Sequence, residues 1–162
     1  MKARLSRLIA SAAVALWPGL AAAPDHTVLT PPGRELLPGP VPAQVIQVID
    51  GDTIAVKARI WLGQEVETRV RIAGVDAPEL AGRCERERAL AARARAFLEA
   101  MLDSGEVVLS QIQYGKFAGR VVARVETPAG EDLSAALLAA GLARPYAGGA
   151  RIPWCDTAEL VE

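Results

Sequence analysis

Two short segments gather the residue types that phosphodiester hydrolysis requires. Asp50-Gly51-Asp52-Thr53 and Arg71-Ile72-Ala73-Gly74-Val75-Asp76-Ala77-Pro78-Glu79 supply the carboxylates Asp52, Asp76 and Glu79 together with Arg71. Carboxylate oxygens suit a hard cation, and a guanidinium fork suits a phosphate. Each segment alone is ordinary: Asp-Gly between β-rich runs reads as a hairpin turn, and Asp-Ala-Pro-Glu as a strand exit. A second strand-borne arginine, Arg120, lies downstream. The only histidine, His26, falls among prolines and reads as a solvated linker residue. Histidine-based metal nucleases and a two-histidine ribonuclease mechanism are therefore excluded, and carboxylates must do the work.

The elements that would position these residues follow from hydrophobic period and turn residues. Strands are predicted over Ala43–Ile49 and Thr53–Ile60, paired around the Asp-Gly turn, with Val66–Ala73 following Leu62-Gly63-Gln64. In the third strand Thr68, Val70 and Ile72 share one face, and Arg69 and Arg71 the other. Cys84–Leu102 is predicted helical, with Leu90, Ala94, Phe97 and Met101 as its core stripe. Its arginines interleave with Glu85, Glu87 and Glu99, which reads as a salt-bridged solvent face. Strands Glu106–Gln111 and Arg120–Glu126 come next. Leu133 could close a short strand, and Ser134 is the predicted N-cap of a helix over Ala135–Ala140 that Gly141 ends.

The run Val48-Ile49-Asp50-Gly51-Asp52-Thr53, then Arg71 through Glu79, then Gly119-Arg120, resembles the staphylococcal nuclease (thermonuclease) family, from about Ala43 to Tyr146. The resemblance implies a mixed β-barrel plus helices: an OB-like five-stranded Greek-key barrel with two to three α-helices. It implies that Asp52, Asp76 and the backbone carbonyl of Ala77 bind Ca²⁺. The family commonly has a hydroxyl residue where this chain has Ala77, a small change if the main chain is the ligand. It implies further that Glu79 orients or deprotonates the attacking water, and that Arg71 and Arg120 grip the phosphate. One departure stands beside Arg120. The family usually carries an aromatic residue directly before Gly-Arg, whereas this chain reads Lys116-Phe117-Ala118-Gly119-Arg120. Either Phe117 is shifted by one insertion or that contact is lost. Tyr114, Phe117 and Tyr146 are then the candidates for stacking on a base, and Tyr146 lies where the family places a nucleotide-contacting tyrosine.

With 162 residues, the chain fits one domain of ordinary size. Alanine inflates its 51% hydrophobic content while aromatics reach only 4%, which implies a small aliphatic core. Lys2, Arg4 and Arg7, the apolar Leu8–Leu20 and Ala21-Ala22-Ala23 read as a secretory signal over 1–23. Shortness and Pro18 favour a cleaved signal over an uncleaved anchor. Cleavage would remove those three cations, taking the formal net charge from −1 to −4. An acidic product does not hold DNA by a broad basic face, so weak, salt-sensitive capture is expected. Six prolines mark 24–42 as a linker. Residues 43–155 form the nuclease-like domain and 156–162 a C-terminal tail.

Cys84 and Cys155 are an even count in a chain expected to be exported, to periplasm or medium, and read as a disulfide. Closing a loop of 71 residues would contribute about 4 kcal/mol in the chain-entropy model and tie the Trp154-Cys155 tail beside the candidate site. These readings converge on an exported, monomeric, Ca²⁺-dependent nuclease acting on DNA and/or RNA with low sequence specificity. No stable membrane association is expected after signal cleavage. The alternative is a non-catalytic OB-fold module that binds nucleic acid or protein.

Overall fold

Residues 35–155 are described by a computed structural model. The predicted signal over 1–23, most of the linker including His26, and the tail 156–162 lie outside the described residues. The elements run β1 (Leu36–Leu37), β2 (Val41–Asp50), β3 (Thr53–Trp61), β4 (Gln64–Ile72), β5 (Val75–Asp76), α1 (Glu85–Met101), β6 (Glu106–Tyr114), β7 (Arg120–Glu126), α2 (Leu133–Ala139) and β8 (Arg144–Pro145).

Strand order β1-β6-β2-β3-β4-β7, with β6 also paired to β7, closes β2, β3, β4, β6 and β7 into a five-stranded barrel. The barrel is mixed because β4 and β7 run parallel, whereas its other pairs are antiparallel. This is the OB-like barrel expected, with β1 as a further strand and two helices among the described residues. Alternation dictates the interior: Ile54, Val56 and Ala58 of β3, Val70 and Ile72 of β4, Leu109 of β6 and Val125 of β7 point inward and are buried. Leu98 of α1 and Leu133 and Leu137 of α2 complete the core. No aromatic residue is among its fully buried side chains, as composition implies.

Three departures from the sequence expectations have a clear physical cause. Pairing of β2 begins at Val41, inside the predicted linker. Pro42 is accommodated because β3 joins β2 only from Ala43, which leaves one side of the strand without a partner at the proline. The buried line of α1 is Glu87, Ala91, Ala94 and Leu98, while Leu90, Phe97 and Met101 are half-buried on its flanks. The cause is close approach. A Cβ built on Gly51 would lie 2.7 Å from the Ala94 Cβ and 2.9 Å from the Ala77 Cβ. Only alanine fits the helix face over that turn, so the larger side chains lie to either side. Third, the N-cap of α2 is Asp132 rather than Ser134, and Leu133 enters the helix as a buried residue.

The Asp132 side chain accepts hydrogen bonds from the backbone N–H of Ser134 (2.8 Å) and Ala135 (3.1 Å), and from Ser134 Oγ (2.6 Å). Burial opposes its ionisation, yet those bonds, with Arg124 beside it, hold its pKa below 3.8. A capping carboxylate of this kind stabilises a helix by about 1 kcal/mol. Asp132→Ala is expected to lower unfolding free energy by about that amount in urea titrations at pH 7. The deficit should shrink as pH falls below 3.8 and the wild-type carboxylate is protonated.

Candidate active site

The β2–β3 turn and the exit from β4 meet because Thr53 pairs with Arg71 across β3 and β4. That register brings Asp52 against the Arg71 guanidinium, both buried. Arg71 Nη1 donates to Asp52 Oδ1 at 2.8 Å, and Nη2 reaches Asp76 Oδ1 at 3.1 Å and the Val75 carbonyl at 3.3 Å. Asp52 also accepts from Thr53 Oγ1 at 2.8 Å and from the Ala77 N–H at 3.1 Å. Burial nevertheless raises its pKa above 3.8, against the pull of Arg71. The parallel β4–β7 pairing sets Arg120 opposite Arg69, which brings the second arginine to the same barrel end.

A depression of about 180 Å³ is lined in part by Asp50, Asp52, Arg69, Arg71, Glu79 and Arg120. Four of the residues singled out from sequence thus share one concavity. Asp76 borders it through Arg71. The Arg120 guanidinium lies 4.8 Å from the Phe117 ring centroid, and its buried Nε has no hydrogen-bond partner among the described residues. Phe117 therefore forms a platform for Arg120. Pairing of β5 with β8 carries Tyr146 to the site, its N–H donating to the Gly74 carbonyl at 2.9 Å and its ring centroid 5.9 Å from Arg71 Cζ. Tyr114 is not brought there. It is exposed and lines a separate depression with Leu37, Ile112 and Val121.

The donor set around Arg71 is all oxygen and rich in carboxylate, which fits a hard divalent cation. Guanidinium groups now bridge those carboxylates. Among the described residues, the group of three ligand-type side chains drawn within 4.8 Å of one another is Cys84, Glu87 and Cys155. Its sulfurs are joined as the expected Cys84–Cys155 disulfide, with Cα atoms 6.0 Å apart, so it is not a cation site.

Three residues at the site were not singled out from sequence. Arg151 bonds Asp76 through Nε (2.8 Å) and Glu79 through Nη1. Its signal was the predicted disulfide: a cation four residues before Cys155 is brought near Glu79, five residues before Cys84. Glu87, read from sequence as part of a salt-bridged solvent face, is instead buried: it stands three residues past the Cys84 N-cap of α1, the position from which a glutamate reaches back to loop N–H groups. It accepts from Arg83 N at 3.0 Å and Glu79 N at 3.5 Å. Gly82 is required beneath it, since a Cβ there would lie 2.5 Å from Glu87 Cγ. Asp50, the first carboxylate of the turn, lines the same depression as Glu79 and accepts from the Gly51 N–H at 2.9 Å. For Glu79, burial favours the neutral acid, but the Arg151 bond and Asp50 outweigh it and lower the pKa below 4.5.

Compared with models of known protein families, the chain matches the Staphylococcal nuclease homologue model over residues 69–156. No curated protein matches the chain. The matched segment holds Arg71, Asp76, Glu79 and Arg120, and the Asp50–Asp52 turn lies before it.

Burial pushes the Asp50 carboxyl from 3.8 up to about 6, opposed by the Gly51 N–H and reinforced by the Glu79 carboxylate. Between those values the folded protein binds more protons than the unfolded chain, so stability falls as pH rises. In chelator, wild type is expected to lose thermal stability relative to Asp50→Asn as pH is raised from 3.8 through about 6. A difference in Tm that stays flat across that window would remove this account of Asp50.

Proposed function

Because the chain belongs to the staphylococcal nuclease homologue family, we propose that it is an exported, Ca²⁺-dependent phosphodiesterase that cleaves DNA, RNA or both with little base specificity. The observation that carries this reading is the shared depression of Asp52, Arg71, Glu79 and Arg120. Carboxylates and two guanidinium groups converge there on a space open to a phosphodiester. Family membership supports binding of nucleic acid and dependence on a metal. No described helix is long and apolar enough to cross a membrane. Export rests on the basic, apolar and Ala-x-Ala order of residues 1–23.

Asp52, Asp76 and the Ala77 carbonyl are the groups that would hold Ca²⁺. A bound divalent cation supplies Lewis-acid stabilisation of charge developing on the phosphoryl oxygens. Arg120 offers donors not taken by carboxylates, and its Phe117 platform keeps the fork aimed. Arg71 is committed to Asp52 and Asp76 on one edge and acts from a fixed orientation. Glu79, ionised at neutral pH, accepts a hydrogen bond from water attacking phosphorus in line. Its lowered pKa suits orientation of that water better than full abstraction of its proton. Tyr146 stands beside Arg71 as a surface for a base.

The acidic balance favours a second reading, a non-catalytic module that binds protein, since a net negative chain attracts nucleic acid poorly. Acid-soluble nucleotide release from single-stranded DNA separates the two. The purified, oxidised chain is expected to degrade DNA with Ca²⁺ and not in chelator. Glu79→Ser should abolish cleavage while sparing binding, and Arg120→Ala should slow it by about 10²–10³. Folded wild-type protein that is inactive with Ca²⁺ would transfer the conclusion to the binding module.

A further inference from the structure

Arg151 occupies Asp76, one of the carboxylates that the nuclease reading needs for its cation, and Glu79, which that reading gives to the attacking water. Asp76 Oδ1 is buried and already accepts from Arg71 at 3.1 Å, yet it also takes Arg151 Nε at 2.8 Å. The same guanidinium bonds Glu79 through Nη1. Two cations therefore converge on one buried aspartate. Arg151 closes the outer side of the cluster, with 40% of its side chain exposed.

The segment bearing Arg151 is anchored on both sides. Upstream, Tyr146 N donates to the Gly74 carbonyl at 2.9 Å and its hydroxyl to the Gly149 carbonyl at 2.8 Å. Gly148 and Gly149 turn the chain at φ of +100° and +97°, a conformation open to glycine. Downstream, the Arg144 guanidinium lies 3.8 Å from the Trp154 ring centroid and donates to the Pro153 carbonyl at 3.1 Å. Cys155 is then bonded to Cys84, at the N-cap of α1. Arg151 is thus presented from a loop whose two ends are held, which gives it a high effective concentration at the carboxylates.

We propose that Arg151 is a tethered counter-ion that competes with the divalent cation for Asp76 while braced on Glu79, and that the Cys84–Cys155 bridge keeps it within reach. This rests on the metal-dependent nuclease reading. An oxygen that accepts from a guanidinium loses much of its power to coordinate a dipositive ion, and the two positive groups repel at such range. Cation binding then requires Arg151 to leave, and apparent affinity falls by the fraction of protein in which it has left. Displaced but still anchored, the guanidinium stays at the rim of the depression, where a phosphate would meet it.

Calorimetric titration of Ca²⁺ into the oxidised full chain tests the idea without reference to turnover. Arg151→Gln is expected to lower the Kd by roughly two- to fivefold, the range for partly exposed charge pairs, and Arg151→Lys to stay near wild type. Cys84→Ser/Cys155→Ser, which loosens the anchor, should fall between wild type and Arg151→Gln. Without Ca²⁺, Arg151→Gln should also melt below wild type, and saturating Ca²⁺ should close that gap. An Arg151→Gln Kd equal to or weaker than wild type overturns the proposal, while Ca²⁺-dependent cleavage would still stand. Ca²⁺ binding by none of the forms overturns the proposal and the metal reading together. A double serine variant that binds like wild type overturns the role given to the bridge.

Discussion

The buried guanidinium of Arg71 is the interaction on which the site depends. It ties Asp52, from the turn after β2, to Asp76, at the end of β5, through contacts of 2.8 and 3.1 Å. Without it, two buried carboxylates would face one another with little water to screen them. Removing one partner of a buried pair typically costs about 3–5 kcal/mol, because the other charge is left uncompensated. The pair is a weaker argument for net stability than for uniqueness. It selects the register in which Thr53 opposes Arg71, since a slip by one residue would bury a charge with no partner.

Small side chains complete that constraint. Gly51, Ala77 and Ala94 meet where the turn, the strand exit and the long helix converge, with hardly a methyl group's space between them. Electrostatics chooses which groups meet, and this contact decides how closely the backbone can approach. On the far side of Glu79, the buried Glu87 carboxylate gathers the loop N–H groups, and the disulfide brings the C-terminal segment over the same loop. The Glu79 loop is therefore held between two devices at the start of α1, one polar and one covalent.

Much of this was legible in the sequence, for particular reasons. Alternation in β3 and the turn residues around it located the barrel strands. Arg120–Glu126 matches β7 as predicted. The pairing of Cys84 with Cys155 needed only a count and an expected compartment. What was missed depends on close contacts that periodicity cannot carry. The α1 stripe was drawn through Leu90, Ala94, Phe97 and Met101; Ala94 is indeed buried, against the Gly51 turn, but its buried companions are Glu87, Ala91 and Leu98 rather than the three larger residues. Ser134 has a good capping side chain, but Asp132 reaches two N–H groups from two residues earlier. Arg151 had no motif of its own, and only the covalent bridge links its position to Glu79.

The parallel pairing of β4 with β7 has a consequence for the order in which the molecule forms. Hairpins such as β3–β4 join neighbours in sequence, but β7 is separated from β4 by β5, α1 and β6. Contacts between such distant segments form late and slowly, because the entropy of closing the intervening loop comes first. Arg71 lies on one of those strands and Arg120 on the other, so the two guanidinium groups become neighbours when the barrel closes. Local contacts alone can form the turn with its carboxylates, whereas the arginine pair needs the long-range β4–β7 contact. The arginine pair is thereby a property of the closed barrel and of no shorter stretch of the chain.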